Sequence, residues 1–390
     1  MSDKYAGNEL KYLKKVLNSE RWSSTEGSWT NSLEASFATR FGAKYAIAMN
    51  SGTAVLHAAL VACGVRPGDE VITPALTVFM DTSSILHCGG IPIYADIDPN
   101  NFTIDPEDVR KRITSNTRAI IAVSLYGHPC DMAALSKIAR EFNIYLIVDN
   151  AQHMDMQSGH ITTYSFENSK HLSCGEGGIV LTNDEYLAAH MRKLSNHGFK
   201  NSTADEGRTK LNMDDFQNPH YKRHSVVGWN YRMSEFSAAI ALAQLENVDS
   251  LVKKRQYAAD KFRNIVAGCE WIIPQQYHSK HTYWTFVVKY VNSLPSWKKF
   301  RSIYLSHGGD GIYGAWSVPY LEPVMQKGMF KMLNPYVYEN IQYQRGICPI
   351  AESIQPTLMQ FKTNYWDSSL ADLKTNALKM AILHAENLND

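Results

Sequence analysis

Residues 117–151 read TRAIIAVSLYGHPCDMAALSKIAREFNIYLIVDNA, and this stretch decides the fold class. The apolar run at each end predicts a strand, and the segment between them has helical spacing with Asp131 as its N-cap. Strand, helix and strand in this order form a unit that joins two parallel strands. Such continuously apolar strands are buried on both faces of a sheet. The stretch therefore predicts a parallel sheet covered by helices.

The same alternation continues on both sides of this stretch. Strands and helices are predicted in the order KYAIAMN, TAVLHAALVACG, DEVITP, MDTSSILHCGG and IPIYADID before it, and YSFEN and GGIVLTND after it. We predict an α/β fold whose large domain, residues 1–245, holds a mostly parallel sheet between helices. A long helical pattern over residues 230–266 follows, and HTYWTFVVKYV then indicates a strand of a smaller α+β domain, residues 246–390.

Composition excludes several classes of function. The chain has 390 residues and a net charge of +1, so it lacks the basic bias of a nucleic-acid-binding protein. No apolar run approaches the ~20 residues of a membrane span, and the charged N-terminus does not resemble a signal peptide. The six cysteines form no CxxC pair, which indicates neither a zinc site nor a disulfide framework. We expect a cytoplasmic protein with buried thiols whose partners are small molecules or other proteins.

The first pattern with chemical meaning is MNSGTAVLHAAL, in which a strand runs through Ser51, Gly52 and Thr53 directly into a helix. Backbone N–H groups at a helix N-terminus bind phosphate, and a glycine lets the phosphate approach closely. The same residues also suit an ordinary Ser/Thr helix cap, and the pattern alone favours that interpretation.

The second pattern is IVDNAQHM, where Asp149 ends an apolar strand. Ligands of open α/β sheets bind at the carboxyl ends of the strands. A carboxylate there either closes a hydrogen-bond network in the core or pairs with a protonated pyridine nitrogen, which makes the ring an electron sink. In the second case Gln152 donates to an oxygen on the ring.

The third pattern is YSFENSKHLSCGEGG, residues 164–178, in which Ser165 ends a strand and Lys170 follows in a loop. A lysine whose pKa is lowered by burial can form a Schiff base with an aldehyde, although a lone lysine is more often a surface charge. In chain order the three patterns give a phosphate seat, a pyridinium partner and a Schiff-base lysine. Together they predict a site for pyridoxal 5′-phosphate.

These motifs resemble the DegT/DnrJ/EryC1/StrS family of pyridoxal phosphate-dependent sugar aminotransferases. The resemblance runs from about residue 20 to the C-terminus and is carried by NSGTAVLHAALVACGVRPGDEVITPALT, IPIYADIDPNNFTIDPEDV, VDNAQ, YSFENSKHLSCGEGGIVLTND, NHG and GWNYRMSEFSAAIALAQLENVD. It implies the aspartate aminotransferase fold (fold type I) and a homodimer whose active sites are shared between the subunits.

The resemblance also implies roles for single residues. Lys170 would form the Schiff base and move the proton, and Asn230 would reach the phosphate of the partner subunit's cofactor. Arg232 would help to bind a carboxylate or phosphate of the substrate. The implied cofactor-binding set comprises Gly52, Thr53 and Ser165 at the phosphate, Asp149 and Gln152 at the ring, and Lys170 and Asn230.

The adjacent residues Lys170 and His171 decide between two reactions. One subgroup of the family has histidine in the lysine column and removes a hydroxyl group from a keto-sugar. Here the lysine column falls on Lys170, five residues before Gly175. Amino transfer is therefore the expected reaction, and His171 is expected to be an ordinary loop residue.

The chain departs from the family pattern in two places. Val78 stands where the family has an aromatic side chain on the cofactor ring, and Phe79 is one helical step, about 100°, away. The connection AQHMDMQSGHITTYSF lacks the β-hairpin that the family carries there. The polar segment 199–225 shows no period and is expected to be a long loop, a candidate lid or interface segment.

The expected function is transfer of an amino group from L-glutamate to a keto-sugar, most simply a nucleotide-linked keto-deoxy sugar. A keto-sugar phosphate, a free keto-sugar and a cyclitol remain alternative acceptors. The 3-dehydration reaction and a catalytically silent sensor domain remain alternative functions. Four aromatic residues of the C-terminal part either line the substrate pocket or pack in the core: Tyr283, Trp284, Trp316 and Tyr320.

Overall fold

The computed structural model describes residues 3–25, 27–155, 159–205, 213–291 and 295–387. Its first part is built from helices α1 (Glu9–Ser19), α2 (Trp29–Phe41), α3 (Gly52–Ala62), α4 (Phe79–His87), α5 (Pro106–Arg112), α6 (Met132–Glu141), α7 (Glu185–Ser195), α8 (Met213–Gln217) and α9 (Glu235–Glu246). The strands are β1 (Tyr45–Met49), β2 (Glu70–Pro74), β3 (Ile91–Ala95), β4 (Thr117–Val123), β5 (Tyr145–Asp149), β6 (Ile161–Ser165) and β7 (Gly178–Thr182).

These strands form one seven-stranded sheet in the order β1-β7-β6-β5-β4-β2-β3. β7 is antiparallel to both of its neighbours, and the other pairs are parallel. All residues of β6 and β7 are buried, as expected for strands covered on both faces. Asp131 caps α6 through a 3.0 Å hydrogen bond from Ala134 N. The predicted α/β fold with a mostly parallel sheet is confirmed.

The C-terminal part contains a second sheet. Its elements are α10 (Val248–Val266), β8 (Ile272–Pro274), β9 (Thr285–Tyr290), α11 (Trp297–Ser306), β10 (Tyr313–Gly314), α12 (Pro323–Gln326), α13 (Pro335–Tyr338), α14 (Pro349–Ile354), β11 (Leu358–Lys362) and α15 (Ser368–Glu386). The four strands are antiparallel in the order β10-β11-β9-β8. Apolar residues of α10, α11 and α15 pack on this sheet as one cluster.

The long helical pattern of residues 230–266 is two helices in the structure. α9 ends at Glu246 and α10 begins at Val248, with Asn247 between them at φ −112° and ψ 7°. α9 packs with α2 beneath the large sheet, whereas α10 packs on the small one. The division into residues 1–245 and 246–390 stays a prediction.

The segment between β10 and β11 returns to the large sheet. The Tyr338 hydroxyl donates to the carbonyls of Leu86 and Gly90 at 3.1 and 3.0 Å. Cys348 and Ala351 lie in the same apolar core as α3 and β2. Part of the chain beyond residue 245 thus completes the packing of the large sheet.

The two unusual connections are only partly described. In 199–225, residues 206–212 lie outside the described ranges, and the rest holds the short helix α8 in an otherwise irregular segment. Lys200 N donates to Arg223 O at 2.9 Å, which joins the two ends of this loop. In the connection after Gln152, residues 156–158 are outside the described ranges, and residues 151–155 and 159–160 hold no strand. Across the described ranges, no helix combines the length and apolarity needed to cross a bilayer.

Candidate active site

The turn from β1 into α3 forms a cradle with the end of β6. Ser51 caps α3, and its hydroxyl accepts from Ala54 N at 3.1 Å. A Cβ added at Gly52 would lie 2.9 Å from Cβ and 3.0 Å from Oγ of Ser165, so only glycine fits there without displacing that side chain. Gly52, Thr53 and Ser165 are thus brought together at a helix N-terminus, where N–H groups lack intrahelical partners.

Asp149 lies buried at the carboxyl end of β5, the edge at which the sequence places a ligand. Its Oδ1 accepts from Ala151 N at 2.8 Å and from the Thr163 hydroxyl at 3.4 Å. Burial raises the pKa of the Asp149 carboxyl above its ordinary value, and these donors oppose the rise. A cationic group bound here would favour the ionised form of this carboxyl.

A second buried carboxyl, Asp81 in the first turn of α4, lies against Asp149. The Thr77 hydroxyl donates to Asp81 Oδ2 at 2.5 Å, and Oδ1 has no hydrogen-bond donor among the described residues. Burial, and then the charge of Asp149, raise the pKa of Asp81 well above its ordinary value. Sequence reasoning missed Asp81, because an acid in the first turn of a helix usually only complements the helix dipole.

Gln152 is fixed by the turn after β4. Its side-chain oxygen accepts from Tyr126 N at 2.7 Å, and the residue is buried. This bond directs the amide nitrogen, the donating end, away from that turn. The structure therefore holds Gln152 as a donor three residues past Asp149, beyond the same strand end.

Lys170 lies in the loop after β6, with its ammonium 4.6 Å from the centre of the Trp284 ring. Burial lowers the pKa of its amine, the negative charges of Asp149 and Glu167 raise it, and Arg255 lowers it further. A lowered pKa leaves more of the amine uncharged and nucleophilic. The tertiary structure thus lowers the pKa of the Lys170 amine, a property that its position in the sequence alone could not establish.

Two buried cations hold the backbone of this lysine loop. Arg255 of α10 donates to the carbonyls of Ser169 at 2.7 Å, Lys170 at 3.3 Å and Trp284 at 2.7 Å. Lys4 donates to the carbonyls of Asn168 at 2.8 Å and Lys170 at 3.3 Å. Burial lowers the pKa of Arg255 to about 9 and that of Lys4 to about 8. Sequence reasoning found neither residue.

His171, the neighbour of Lys170, is buried in the core. Its Nε2–H donates to the carbonyl of Thr282 at 2.8 Å, and burial holds its pKa well below the ordinary value. A neutral imidazole whose N–H donates to a backbone carbonyl has a structural role. The structure places His171 as an ordinary buried loop residue.

The remaining expected site residues lie directly before α9 and at the start of α4. Asn230 is exposed, and its carbonyl accepts from Asn50 Nδ2 at 3.3 Å. Arg232 donates to Asn196 Oδ1 at 2.9 Å. Phe79 packs in an apolar cluster with Leu86, Met325 and Phe330, so it does not supply the missing aromatic face. Val78 is half-buried immediately before α4.

The geometry and the electrostatics of these residues fit pyridoxal phosphate. The Gly52–Ser165 cradle has a space that a Cβ would fill, at a helix N-terminus of the kind that binds phosphate. The buried Asp149 suits a cationic ring nitrogen, and Lys170 carries an amine of lowered pKa. Phosphate seat, ring partner and reactive amine therefore occur at one edge of the sheet.

Comparisons with known proteins agree with this chemistry. The profile described as "DegT/DnrJ/EryC1/StrS aminotransferase family" matches residues 3–356. A GDP-perosamine synthase of Vibrio cholerae is 30% identical and covers 88% of this chain and 92% of its own. A GDP-perosamine synthase of Caulobacter vibrioides is 36% identical, covering 73% and 74%. The X-ray structure of an aminotransferase from Psychrobacter cryohalolentis superposes with a TM-score of 0.84 at 26% identity, covering 97% of both chains.

Proposed function

This chain belongs to the DegT/DnrJ/EryC1/StrS aminotransferase family, and from this membership we propose that it moves an amino group from L-glutamate to a nucleotide-linked keto-sugar. It is a pyridoxal phosphate-dependent sugar aminotransferase with the fold type I architecture. The observation that carries the proposal is Lys170, an amine of lowered pKa beside the charge of the buried Asp149.

Each residue has a task that follows from its surroundings. Gly52, Thr53 and Ser165 would hold the phosphate in the cradle at α3, and Gln152 would orient the ring by donating a hydrogen bond. Asp149, a buried carboxyl whose ionised form a cation would favour, would pair with the protonated ring nitrogen. Pyridoxal phosphate, when bound, supplies an electron sink for the substrate carbon next to nitrogen.

Lys170 is the group that moves the proton. Its lowered pKa lets its amine take a proton from the carbon of the donor and return one to the carbon of the sugar. The cations Arg255 and Lys4 hold the carbonyl of Lys170 from two sides, so the loop is fixed while the side chain moves. A fixed backbone with a mobile amine suits a residue that serves two half-reactions.

The nature of the acceptor rests on the relatives. Two of them, at 30% and 36% identity, are named GDP-perosamine synthases, and that name specifies a GDP-linked sugar. We therefore propose a nucleotide-linked keto-deoxy sugar as the acceptor, for a surface glycan such as lipopolysaccharide or for an antibiotic. A keto-sugar phosphate, a free keto-sugar or a cyclitol is the alternative.

The enzyme is proposed to work as a cytoplasmic homodimer. Asn230 is exposed, and it follows Val227 and Trp229, which are 83% and 39% exposed. An exposed apolar segment beside a polar cofactor ligand suits a subunit interface. The six cysteines are unpaired, which fits a reducing compartment.

The 3-dehydration reaction is the rival within the same family. It requires a histidine in place of the lysine, and His171 is committed to the Thr282 carbonyl. Product analysis separates the two reactions, because transfer releases an aminosugar and dehydration releases a deoxy-sugar.

The test is the absorption spectrum of the purified enzyme before and after L-glutamate is added. We expect the long-wavelength band of the bound cofactor to disappear with glutamate and to return with 2-oxoglutarate. Lys170→Ala should abolish this cycle, whereas Lys137→Ala, an exposed lysine of α6, should leave it intact. A wild-type band that ignores glutamate would sink the proposal.

A further inference from the structure

Two carboxyl groups meet in the interior at the carboxyl end of β5. Asp81 of α4 is fully buried, and Asp149 is 2% exposed. The two side chains are close enough to share a hydrogen bond. An ionised carboxylate can only accept hydrogen bonds, so two ionised carboxylates in contact repel each other. One member of the pair must therefore hold a proton.

The surroundings of the pair indicate which member holds this proton. Asp149 accepts from Ala151 N at 2.8 Å and from the Thr163 hydroxyl at 3.4 Å. The charge of Lys170 also favours the ionised form of Asp149. Asp81 accepts one hydrogen bond, at Oδ2, and its Oδ1 is buried without a donor among the described residues. A proton on Oδ1 turns this atom into a donor to Asp149 and gives it a partner.

The position of Asp81 as the third residue of α4 acts in the opposite direction, but more weakly. A helix dipole favours a negative charge in the first turn by about tenfold, whereas burial disfavours that charge by up to about 10³- to 10⁵-fold. Two further titratable groups that interact with the pair, Tyr94 and Cys130, carry no charge at neutral pH, because burial raises the pKa of both. Burial and the neighbouring Asp149 therefore keep Asp81 neutral.

We propose that Asp81 is a positioning residue that stays protonated and donates a hydrogen bond to Asp149, which keeps Asp149 ionised for the ring nitrogen of pyridoxal phosphate. An ionised Asp149 favours the protonated ring, the form that withdraws electrons from the substrate carbon. Asp81 acts through Asp149 and keeps its own proton throughout the reaction. This inference rests on the proposed function and adds a second carboxyl to the groups that tune the ring.

Infrared difference spectroscopy of the cofactor-loaded enzyme at neutral pH detects the proton directly. We expect the wild type to show the carbonyl-stretching band of a protonated carboxyl, and we expect Asp81→Asn to lack it. Asp249→Asn is the matched control, because it removes a carboxylate whose side chain is 70% exposed, and it should keep the band. The proposal is overturned if the wild type has no such band or if Asp81→Asn retains it.

The affinity for pyridoxal phosphate distinguishes a hydrogen-bond donor from a second negative charge. Asp81→Asn keeps a donor towards Asp149, so it should bind the cofactor like the wild type. Asp81→Leu removes the donor and should weaken binding about tenfold or more, because a hydrogen bond to a charged group is lost. ¹⁵N NMR with the cofactor labelled at its ring nitrogen should show a protonated nitrogen in the wild type and Asp81→Asn. In Asp81→Leu the resonance should move towards the unprotonated form, which a purely structural role would not cause.

The outcomes separate the role of Asp81 from the proposed function. A loss of affinity in Asp81→Asn as large as that in Asp81→Leu would show that Asp81 acts as an anion, and it would overturn the proposal. Wild-type affinity and an unshifted nitrogen resonance in Asp81→Leu would also overturn it. If circular dichroism shows that Asp81→Leu does not fold, the infrared band and Asp81→Asn still decide. A wild type whose cofactor band ignores L-glutamate refutes amino transfer, while the infrared band and the nitrogen resonance still decide the role of Asp81.

Discussion

At the scale of single residues, the pair Asp81 and Asp149 sets a pH dependence. Both carboxyls are buried and both pKa values are raised, that of Asp81 most clearly. A raised folded-state pKa of an acid stabilises the protein fully below the unfolded pKa, and this contribution is lost as the pH rises through the folded pKa. Without the cofactor, the contribution of this pair to stability should therefore fall as the pH rises from the acidic range.

Asp81→Asn removes one ionisable member of this pair. The variant should gain stability relative to the wild type between pH 4.5 and pH 7.5, because asparagine stays neutral and can still donate to Asp149. Urea unfolding of the cofactor-free proteins at the two pH values measures this difference. If the variant and the wild type differ in free energy of unfolding by the same amount at both pH values, Asp81 does not contribute to the pH dependence of stability.

Gly52→Ala tests the phosphate cradle. The new methyl group would lie 2.9 Å from Ser165 Cβ, so it must displace Ser165 or tilt α3. Overpacking of this kind costs about 1–3 kcal/mol, and the affinity for pyridoxal phosphate should fall at least about tenfold. Gly311→Ala is the control, since its nearest neighbour would be at 3.8 Å. If Gly52→Ala and the wild type bind pyridoxal phosphate with equal affinity in a fluorescence titration, the cradle is not part of the cofactor site.

The sequence indicated the residues with strong local context and missed those defined only by distant contacts. Asp149 and Lys170 stand at strand ends in recognisable motifs, so their positions could be predicted. Lys4 contacts the carbonyl of Lys170 across 166 positions in the chain, and Arg255 does so across 85. Nothing in the local sequence of a charged helix or terminus marks such a contact.

At the scale of elements, strand and helix positions followed from periodicity, but directions and breaks did not. The apolar run of β7 looks like any other buried strand, and its antiparallel pairing with β6 follows a connection, residues 166–177, that contains no helix. The helical spacing continues through Asn247, so the end of α9 is visible only from its packing. The short helix α5, with Asp105 as N-cap and Pro106 at its start, carries too few apolar residues to show a period.

The contact between α10 and the lysine loop predicts an electrostatic effect. Arg255 lowers the pKa of Lys170, so Arg255→Met should raise that pKa, whereas Arg255→Lys should keep most of the effect. Several carbonyls would lose their donor, which costs about 1–3 kcal/mol of stability. A pH titration of the cofactor band should give a higher midpoint for Arg255→Met. A midpoint equal to that of the wild type would leave Arg255 a purely structural role.

At the scale of the whole molecule, one cluster of buried histidines includes residues from both the large-sheet part and the small-sheet part of the chain. Its members are His128, His153, His171 and His281. The rings of His128 and His281 are 5.3 Å apart, and His153 donates to Gly127 O at 2.8 Å. Burial lowers the pKa of His128 and of His153 to about 4. The cluster is neutral at physiological pH and must become charged in acid.

This cluster predicts acid lability. Between about pH 6 and pH 4.5 each such histidine is protonated when unfolded and neutral when folded, so stability should fall by about 1.4 kcal/mol per pH unit for each. His153→Gln should reduce the slope of the unfolding free energy against pH by about 1.4 kcal/mol per pH unit, which corresponds to one proton. The exposed His220→Gln should leave this slope unchanged. Denaturant unfolding across this range measures the slopes. Identical slopes for His153→Gln and the wild type would contradict the assignment.

The return of the C-terminal segment to the large sheet also matters during synthesis on the ribosome. Tyr338 reaches back 252 positions to the carbonyl of Leu86. At about 5–20 residues per second, translation of that interval takes on the order of 10–50 seconds. For that period the nascent sheet exposes an apolar face that its own later residues will cover. A chaperone that shields such faces should therefore raise the yield of the full-length enzyme more than that of a protein whose first domain is complete in itself.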